Sequence, residues 1–197
     1  MNGVEAALRR VADDLDKSGR LWALVGGFAV SARVEPRFTR DVDIAVMVDG
    51  DPAAEALVRS LLVDGYGVFS SVEHDSGRLA TVRLTRTAQG VEVIVDLLFA
   101  SSGIEPEIAQ AADRLEITPG LVVPVATVGH LIALKVLARD DVTRPQDLAD
   151  LRALITSAAP HDLSLADDAV RLIEARGFNR DRDLGKALDD LVAELRA

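Results

Sequence analysis

The chain has 197 residues, of which 49% are hydrophobic, 27% charged and 4% aromatic. This balance excludes intrinsic disorder and predicts one compact unit or two small lobes that share a core. The 32 Asp and Glu residues outnumber the 22 Lys and Arg residues, and the formal net charge of -10 argues against non-specific coating of nucleic acid. Cysteine is absent, which excludes disulfides, thiolate catalysis and thiolate metal sites.

Targeting signals do not stand out in the sequence. No stretch approaches the ~20 uninterrupted apolar residues that a membrane span requires. The N-terminal segment has no apolar run followed by a small-residue cleavage site. We therefore expect a cytoplasmic protein that does not associate with membranes.

The first segments of the chain predict a helix, a strand, a glycine turn and a second helix. Apolar residues recur at helical spacing over 4–18, and this helix is expected to end near Gly19. The apolar run 21–25 predicts a short strand, and Gly26-Gly27 follows it at the opening of the next helix. A glycine pair at such a turn leaves backbone N–H groups uncovered.

The following segments predict a mixed sheet. A strand is expected at 42–48 and a helix at about 52–64, after Gly50-Asp51-Pro52. Further strands are expected at about 66–72, 78–86 and 90–99. The last two flank Thr87-Ala88-Gln89-Gly90, whose composition favours an antiparallel hairpin.

Beyond Phe99 the periodicity becomes helical. The segments that carry it are 104–112, 127–139, 147–156, 165–176 and 182–195. No long Ser, Gly or Pro linker separates the two halves. We therefore predict an α/β (α+β) fold, with a mixed twisted sheet lobe over residues 1–115 followed by a helical C-terminal lobe over 116–197 that packs against it.

Three carboxylates stand where chemistry is expected. Asp41 and Asp43, one residue apart at the start of a strand, point to the same face and repel each other. Asp96 lies in a later apolar strand, where an unpaired carboxylate is costly to bury. Mg²⁺ or Mn²⁺ would neutralise such a group and hold nucleotide phosphates. The alternative for an isolated D-x-D is an exposed strand end, but the glycine turn, the helix and the third acid together favour a metal site.

These residues carry a family resemblance. Gly26-Gly27 followed by Thr39-Arg40-Asp41-Val42-Asp43-Ile44 resembles the signature of the DNA polymerase β-like nucleotidyltransferase superfamily. Leu134-Lys135 and the segment 144–150 are similar to the AbiEii/MenT branch, the nucleotidyltransferase-like toxins of bacterial toxin–antitoxin systems. The resemblance covers roughly residues 20–155, and the segment that follows carries no family motif.

The resemblance implies a role for each matched residue. Gly26 and Gly27 would let the backbone approach the triphosphate of a nucleotide. Asp41, Asp43 and Asp96 would be the metal ligands and catalytic carboxylates, with Asp96 as the group that activates the attacking hydroxyl.

Lys135 and two acids downstream of it form a second group of candidates. The resemblance makes Lys135 a catalytic and nucleotide-binding residue that clamps phosphate, whereas the alternative is a side chain that packs along its stem and reaches water. Asp147 is expected to be catalytic, and Asp147 and Asp150 share one helix face. They either partner Lys135 or form an acidic first turn of their helix.

Three more residues are predicted to bind the nucleotide: Thr39, Arg40 and Arg144. Thr39 and Arg40 precede the metal acids directly, although they would also serve as plain strand-entry residues. The branch often carries Lys where this chain has Gln146, so the basic element before Asp147 rests on Arg144. If Thr39 faces the nucleotide, a phosphate on it would block nucleotide binding by repulsion.

The resemblance implies an Mg²⁺-dependent nucleotidyltransferase toxin. It would transfer a nucleoside monophosphate from an NTP to an RNA acceptor, a tRNA 3′ end, with growth arrest as the result and a cognate antitoxin as partner. The alternatives are transfer to an aminoglycoside-type small molecule or a protein hydroxyl, or a non-catalytic nucleotide-binding module. An Arg track over Arg33, Arg37, Arg78 and Arg83 would favour RNA, whereas an acid-lined pocket would favour a cationic small molecule.

Overall fold

The computed structural model describes residues 3–34, 39, 41–88, 90–140 and 145–196. Within these ranges the helices are α1 (Gly3–Ser18), α2 (Gly26–Arg33), α3 (Asp51–Val63), α4 (Glu105–Gln110), α5 (Val128–Ala138), α6 (Pro145–Ser157), α7 (Pro160–Ala175) and α8 (Leu184–Arg196). The strands are β1 (Trp22–Val25), β2 (Asp41–Val46), β3 (Gly67–Glu73), β4 (Leu79–Ala88), β5 (Val91–Leu98), β6 (Asp113–Thr118) and β7 (Leu121–Val125).

The strands form one mixed sheet in the order β3-β4-β5-β2-β1-β7-β6. Strand β2 pairs antiparallel with β1 and parallel with β5, and β4 and β5 form the antiparallel hairpin expected from the sequence. The central strands are buried because their apolar side chains pack against helices, as the fully buried Leu24, Ile44 and Leu97 illustrate. The predicted α/β fold with a mixed sheet is therefore confirmed.

The C-terminal helices pack together beside the sheet. Leu131, Ile132 and Val136 of α5 are fully buried in the same core as the sheet residues. Helix α5 begins where Thr127 caps it, since the Thr127 hydroxyl accepts a hydrogen bond from the His130 amide. Lys135 lies on the last turn of this capped helix, so the position of the helix sets the position of the Lys135 side chain.

One hairpin was not expected from the sequence. Residues 113–118 and 121–125 form β6 and β7, and β7 extends the sheet by pairing parallel with β1. The boundary proposed between residues 115 and 116 therefore falls inside β6, and the division into two lobes stays a prediction. Helix α7 also begins at Pro160, earlier than the helical periodicity indicated.

None of the described helices is both long and apolar enough to span a membrane.

Candidate active site

A cavity of about 520 Å³ lies where the sheet meets α2, α5 and α6. Most of the residues predicted from the sequence share its wall. They are Gly26, Gly27, Thr39, Asp41, Asp43, Asp96, Lys135 and Asp147. The other side chains of the wall include Thr81, Arg83, Ser101, Ser102, Gln146 and Arg180. We call this space the first cavity.

The two aspartates of β2 face the first cavity because of the strand's alternation. Asp41 and Asp43 are half-buried, whereas Val42 and Ile44 between and after them are fully buried on the opposite face. The parallel pairing of β2 with β5 sets Asp43 opposite Asp96. Three carboxylates are thus carried by adjacent strands, as the sequence pattern predicted.

The glycine turn approaches this acidic pair closely. Gly26 begins α2 with φ of +62°, a conformation that glycine adopts without strain. A Cβ placed on Gly26 would lie 2.0 Å from Oδ2 of Asp43. The Asp43 carboxylate therefore lies against bare backbone at the start of α2, and only glycine leaves room for it.

Asp96 is paired with an arginine in this structure. Arg83 of β4 lies directly opposite Asp96 of β5, and its Nε and Nη2 donate to the two carboxylate oxygens at 2.8 and 2.7 Å. The hydrogen bonds that Arg83 donates to Asp96 raise the pKa of Arg83, and the charges of Asp96, Asp41 and Asp43 act in the same direction. The Asp96 side chain is 9% exposed and the Arg83 side chain 40%, so this is a bidentate pair with a nearly buried carboxylate and a partly exposed guanidinium.

Lys135 is held by both acids of α6. Its ammonium lies 2.7 Å from Oδ1 of Asp147 and 2.7 Å from Oδ2 of Asp150. All three side chains are at most 10% exposed. Both acids therefore partner the cation, which resolves the two interpretations left open for this helix face. The Lys135 side chain still lines the first cavity.

Two predicted nucleotide-binding residues, Arg40 and Arg144, lie outside the described residues. Thr39 is described: it lines the first cavity, and its hydroxyl donates to the backbone carbonyl of Asp41 at 3.4 Å. Gln146, at the position where the branch often carries Lys, also lines the first cavity.

The loop after β5 adds residues that the sequence did not indicate. Ser101 and Ser102 line the first cavity, and both of their backbone amides donate to Oε1 of the buried Glu105 at 2.8 and 2.7 Å. The Ser102 hydroxyl donates to the same oxygen. Glu105 thus fixes the loop that closes one side of the cavity, and a short S-S-x-x-E pattern was the only signal for it.

A second cavity of about 600 Å³ adjoins the first. The two share the side chains of Thr81, Arg83, Asp96, Ser101 and Arg180. The turn after β3 and the loop between α7 and α8 meet over the second cavity, where the rings of His74 and Phe178 stack at 4.0 Å between centroids. Arg180 and its neighbour Asp181 hold positive φ values of 55° and 56°, a strained conformation for residues with side chains.

Three of the four arginines proposed as an acceptor track are described: Arg33, Arg78 and Arg83. Arg33 donates to the backbone carbonyls of Val125 and Ala126 and to Asp113, so it anchors α2 to the β7 side of the sheet. Arg83 lines both cavities, Arg78 is exposed, and Arg37 lies outside the described residues.

The carboxylate oxygens of the first cavity are the type of ligand that a hard divalent cation prefers. Asp41 and Asp43 offer carboxylates to the same cavity. Within the part of the chain that is described, however, no three acidic or histidine side chains are gathered closely enough to hold a metal ion. Both oxygens of Asp96 accept hydrogen bonds from Arg83, so the third carboxylate is engaged elsewhere.

Comparison with known proteins gives both a fold and a family. An antigenic nucleotidyltransferase-like protein from Paracoccidioides brasiliensis is 22% identical, with a TM-score of 0.54 over 95% of this chain and 92% of that chain, which supports the fold. The nucleotidyltransferase toxin MenT4 from Mycobacterium tuberculosis is 16% identical, with a TM-score of 0.40 over 98% of this chain and 94% of that chain. The antibiotic-resistance factor ANT(2'')-Ia is 17% identical, with a TM-score of 0.49 over 98% of this chain and 90% of that chain. No curated protein matches the sequence.

The family comparison covers nearly the whole chain. Residues 7–196 match the family described as nucleotidyl transferase AbiEii toxin, type IV toxin–antitoxin system. This span includes every residue of the first cavity and extends past the segment over which the motifs could be read from sequence. The chain is a nucleotidyltransferase and belongs to the AbiEii toxin family.

Proposed function

We propose that the protein transfers a nucleoside monophosphate from an NTP to a hydroxyl of an RNA acceptor, the 3′ end of a tRNA, and thereby arrests growth. The observation that carries this proposal is the meeting of the glycine turn, the Asp41–Asp43 pair and Asp96 at one cavity. Membership of a toxin family supports the cellular outcome and a cognate antitoxin as partner.

The proposed roles follow from position. The backbone N–H groups at the start of α2 bind triphosphate oxygens, because glycine leaves them uncovered. Asp41, Asp43 and Asp96 would hold Mg²⁺ or Mn²⁺. When bound, such an ion neutralises phosphate charge and favours in-line displacement. Lys135, held by Asp147 and Asp150, lines the wall proposed to face the nucleotide, and Arg40 and Arg144 are further proposed nucleotide-binding residues.

The transfer step conserves atoms and charge in a simple way. The acceptor hydroxyl oxygen forms a bond to the α-phosphorus, and the bond from that phosphorus to the pyrophosphate oxygen breaks. The hydroxyl proton passes to the carboxylate of Asp96, and pyrophosphate leaves. Asp96 lines both cavities, so it lies between the first cavity, proposed for the nucleotide, and the second cavity, which we propose for the acceptor end.

A second candidate acceptor is a cationic small molecule of the aminoglycoside type. The second cavity favours it, since Glu73, Asp75 and Asp181 line that cavity in addition to the paired Asp96. Among the described residues that line the second cavity, the arginines are Arg83 and Arg180. Carboxylates in such number attract ammonium groups and repel phosphate.

The test is incubation of the purified protein with total RNA, Mg²⁺ and each α-labelled NTP in turn. Label in a tRNA-sized band is the expected result, with the preferred nucleotide identified by which NTP transfers. The Asp41→Ala variant should transfer none. Asp49→Ala is the matched control, because Asp49 is an exposed carboxylate beyond the far end of β2 and does not line either cavity.

A parallel set of reactions, with an aminoglycoside as the acceptor, decides which acceptor the protein uses. An absence of labelled RNA together with label on an aminoglycoside would replace the first proposal with the second. Equal RNA labelling by Asp41→Ala and the unsubstituted protein would contradict the role of the acidic pair. Induced expression of the two forms gives the cellular counterpart, since Asp41→Ala should relieve growth arrest.

A further inference from the structure

Arg83 and Asp96 form a link between the two cavities. Both side chains line both spaces, and the guanidinium chelates both oxygens of the carboxylate. The pairing is imposed by the hairpin, because Arg83 and Asp96 are direct cross-strand partners with side chains on one face. The same face carries Asp43, which is the partner of Asp96 on the other side.

The pair occupies the donor atoms that a metal would use. A carboxylate oxygen that accepts a short charge-assisted hydrogen bond has lost much of its capacity to bind a cation at the same lone pairs. Here both oxygens of Asp96 are engaged at 2.8 and 2.7 Å. The Arg83 side chain is 40% exposed, so the guanidinium can leave the pair toward solvent without crossing packed core.

We propose that Arg83 is a positioning residue that serves as an exchangeable counter-ion, which holds Asp96 until a divalent cation displaces it. In the metal-free protein, Arg83 offsets one of the three carboxylate charges that Asp41, Asp43 and Asp96 bring to the first cavity. A bound cation would take the place of Arg83 as the positive partner of Asp96, and the guanidinium would be free to turn toward solvent. This inference rests on the proposed metal role of the three acids.

The exchange has a measurable consequence for metal affinity. Binding of the ion to Asp96 must break the bidentate pair. The free-energy cost of breaking the pair therefore lowers the affinity of the three acids for metal. Removal of the guanidinium removes the competitor and one repelling positive charge. The Arg83→Gln variant should therefore bind Mn²⁺ more tightly than the unsubstituted protein, by about tenfold.

The experiment measures metal binding without nucleotide or acceptor. Free Mn²⁺ is quantified by its electron paramagnetic resonance signal as the ion is titrated into each full-length protein, and Mg²⁺ binding is followed by competition. Because no turnover is needed, failure of the exchange is distinguishable from failure of the proposed transferase activity. Circular dichroism verifies that each variant is folded.

Two further variants keep the test decisive. Arg83→Lys retains a positive charge but has only one nitrogen to offer, so it should tighten Mn²⁺ binding less than Arg83→Gln, by about threefold. This result stands even if Arg83→Gln fails to fold. Asp96→Asn should weaken binding, and adding Arg83→Gln to it should give a smaller gain than in the unsubstituted protein, because the carboxylate for which the two cations compete is gone and only the repelling charge is removed.

Arg86→Gln is the control on the same strand. The Arg86 guanidinium donates to the backbone carbonyl of Asp64 and lies over the ring of Tyr66, away from the acids. Its removal should leave Mn²⁺ affinity unchanged. Unaltered or weaker Mn²⁺ binding in both Arg83→Gln and Arg83→Lys would overturn the proposal, and Arg83 would then be a structural partner of Asp96 only.

Discussion

The backbone at Gly26 leaves the carboxylate of Asp43 no space to spare, since a Cβ at that glycine would lie 2.0 Å from Oδ2 and 2.6 Å from Cγ. This contact joins the glycine turn and the D-x-D pair into one structural unit. Any side chain at position 26 would have to displace Asp43. The glycine turn and the D-x-D pair therefore constrain each other.

The first prediction concerns Gly26→Ala. The φ of +62° disfavours alanine by about 1–2 kcal/mol, and the clash moves Asp43 in addition. We expect a lower free energy of unfolding, loss of Mn²⁺ binding and loss of nucleotide transfer. Urea unfolding and the Mn²⁺ titration measure the first two effects separately.

The matched control for this substitution is Gly19→Ala. Gly19 has a similar φ of +68°, but a Cβ there would meet nothing within 4 Å. This variant should show the backbone strain alone, with Mn²⁺ binding intact. If both variants lost stability equally and both retained Mn²⁺ affinity, the contact with Asp43 would have no bearing on the site.

The second prediction concerns the buried ion cluster of Lys135. Lys135→Met removes the cation that lies 2.7 Å from both Asp147 and Asp150, whose side chains are 2% and 3% exposed. Breaking a buried ion pair by removing one partner costs about 3–5 kcal/mol. Urea unfolding should show a loss of this size, which is a large part of the stability of an ordinary domain.

A triple variant separates the structural role of Lys135 from its proposed function. Lys135→Met combined with Asp147→Leu and Asp150→Leu replaces the cluster by apolar side chains, a change that is often close to neutral for stability. We expect recovered stability without recovered nucleotide binding. Full nucleotide binding by the triple variant would mean that Lys135 acts in folding only.

The sequence was sufficient to predict the sheet that carries the acids, because its short strands are strongly apolar and Gly, Pro and Asp mark their ends. The β6–β7 hairpin was missed for a physical reason. Strand β6 is an edge strand in which no residue is buried, so burial imposes no clear alternation, and Pro124 inside β7 argues against a strand.

The residues of the site were predictable to different degrees. Asp41 and Asp43 follow from a spacing that any strand places on one face, and Asp96 follows from its position in an apolar strand. The Arg83–Asp96 pair needs the hairpin register, in which Ala88 pairs with Val91 and Arg83 with Asp96. The contact of Lys135 with Asp147 and Asp150 was one of two alternatives, because packing between separate helices has no local pattern that decides it, and Arg180 gave no signal in sequence.

The third prediction is a pH dependence of stability that arises from His130. This imidazole is 3% exposed, and burial lowers its pKa below the ordinary value of 6.5. The unfolded chain therefore binds a proton more readily than the folded protein. The contribution of His130 to stability is complete above pH 6.5 and is lost as pH falls through its folded pKa.

Urea unfolding between about pH 7.5 and about pH 5.5 tests this linkage. The unsubstituted protein should lose stability across the range, and His130→Gln should lose less, because glutamine does not titrate. The pKa of Glu107 is also lowered, by its hydrogen bond with Arg176, but its effect is expected below pH 4.5, outside this window. Equal slopes for the two proteins would contradict the assignment to His130.

The last prediction concerns regulation at Thr39. Its side chain lines the first cavity beside Asp41 and Asp43, so a phosphate there would add about two negative charges where the triphosphate is proposed to bind. Thr39→Glu places one such charge at the same position. We expect it to weaken NTP binding by about tenfold or more, measured by titration with a fluorescent nucleotide. Thr39→Gln has nearly the same size without the charge and should bind close to normally, so equal binding by the two variants would exclude repulsion as the cause. Retained nucleotide transfer by Thr39→Glu would rule out a switch at this hydroxyl.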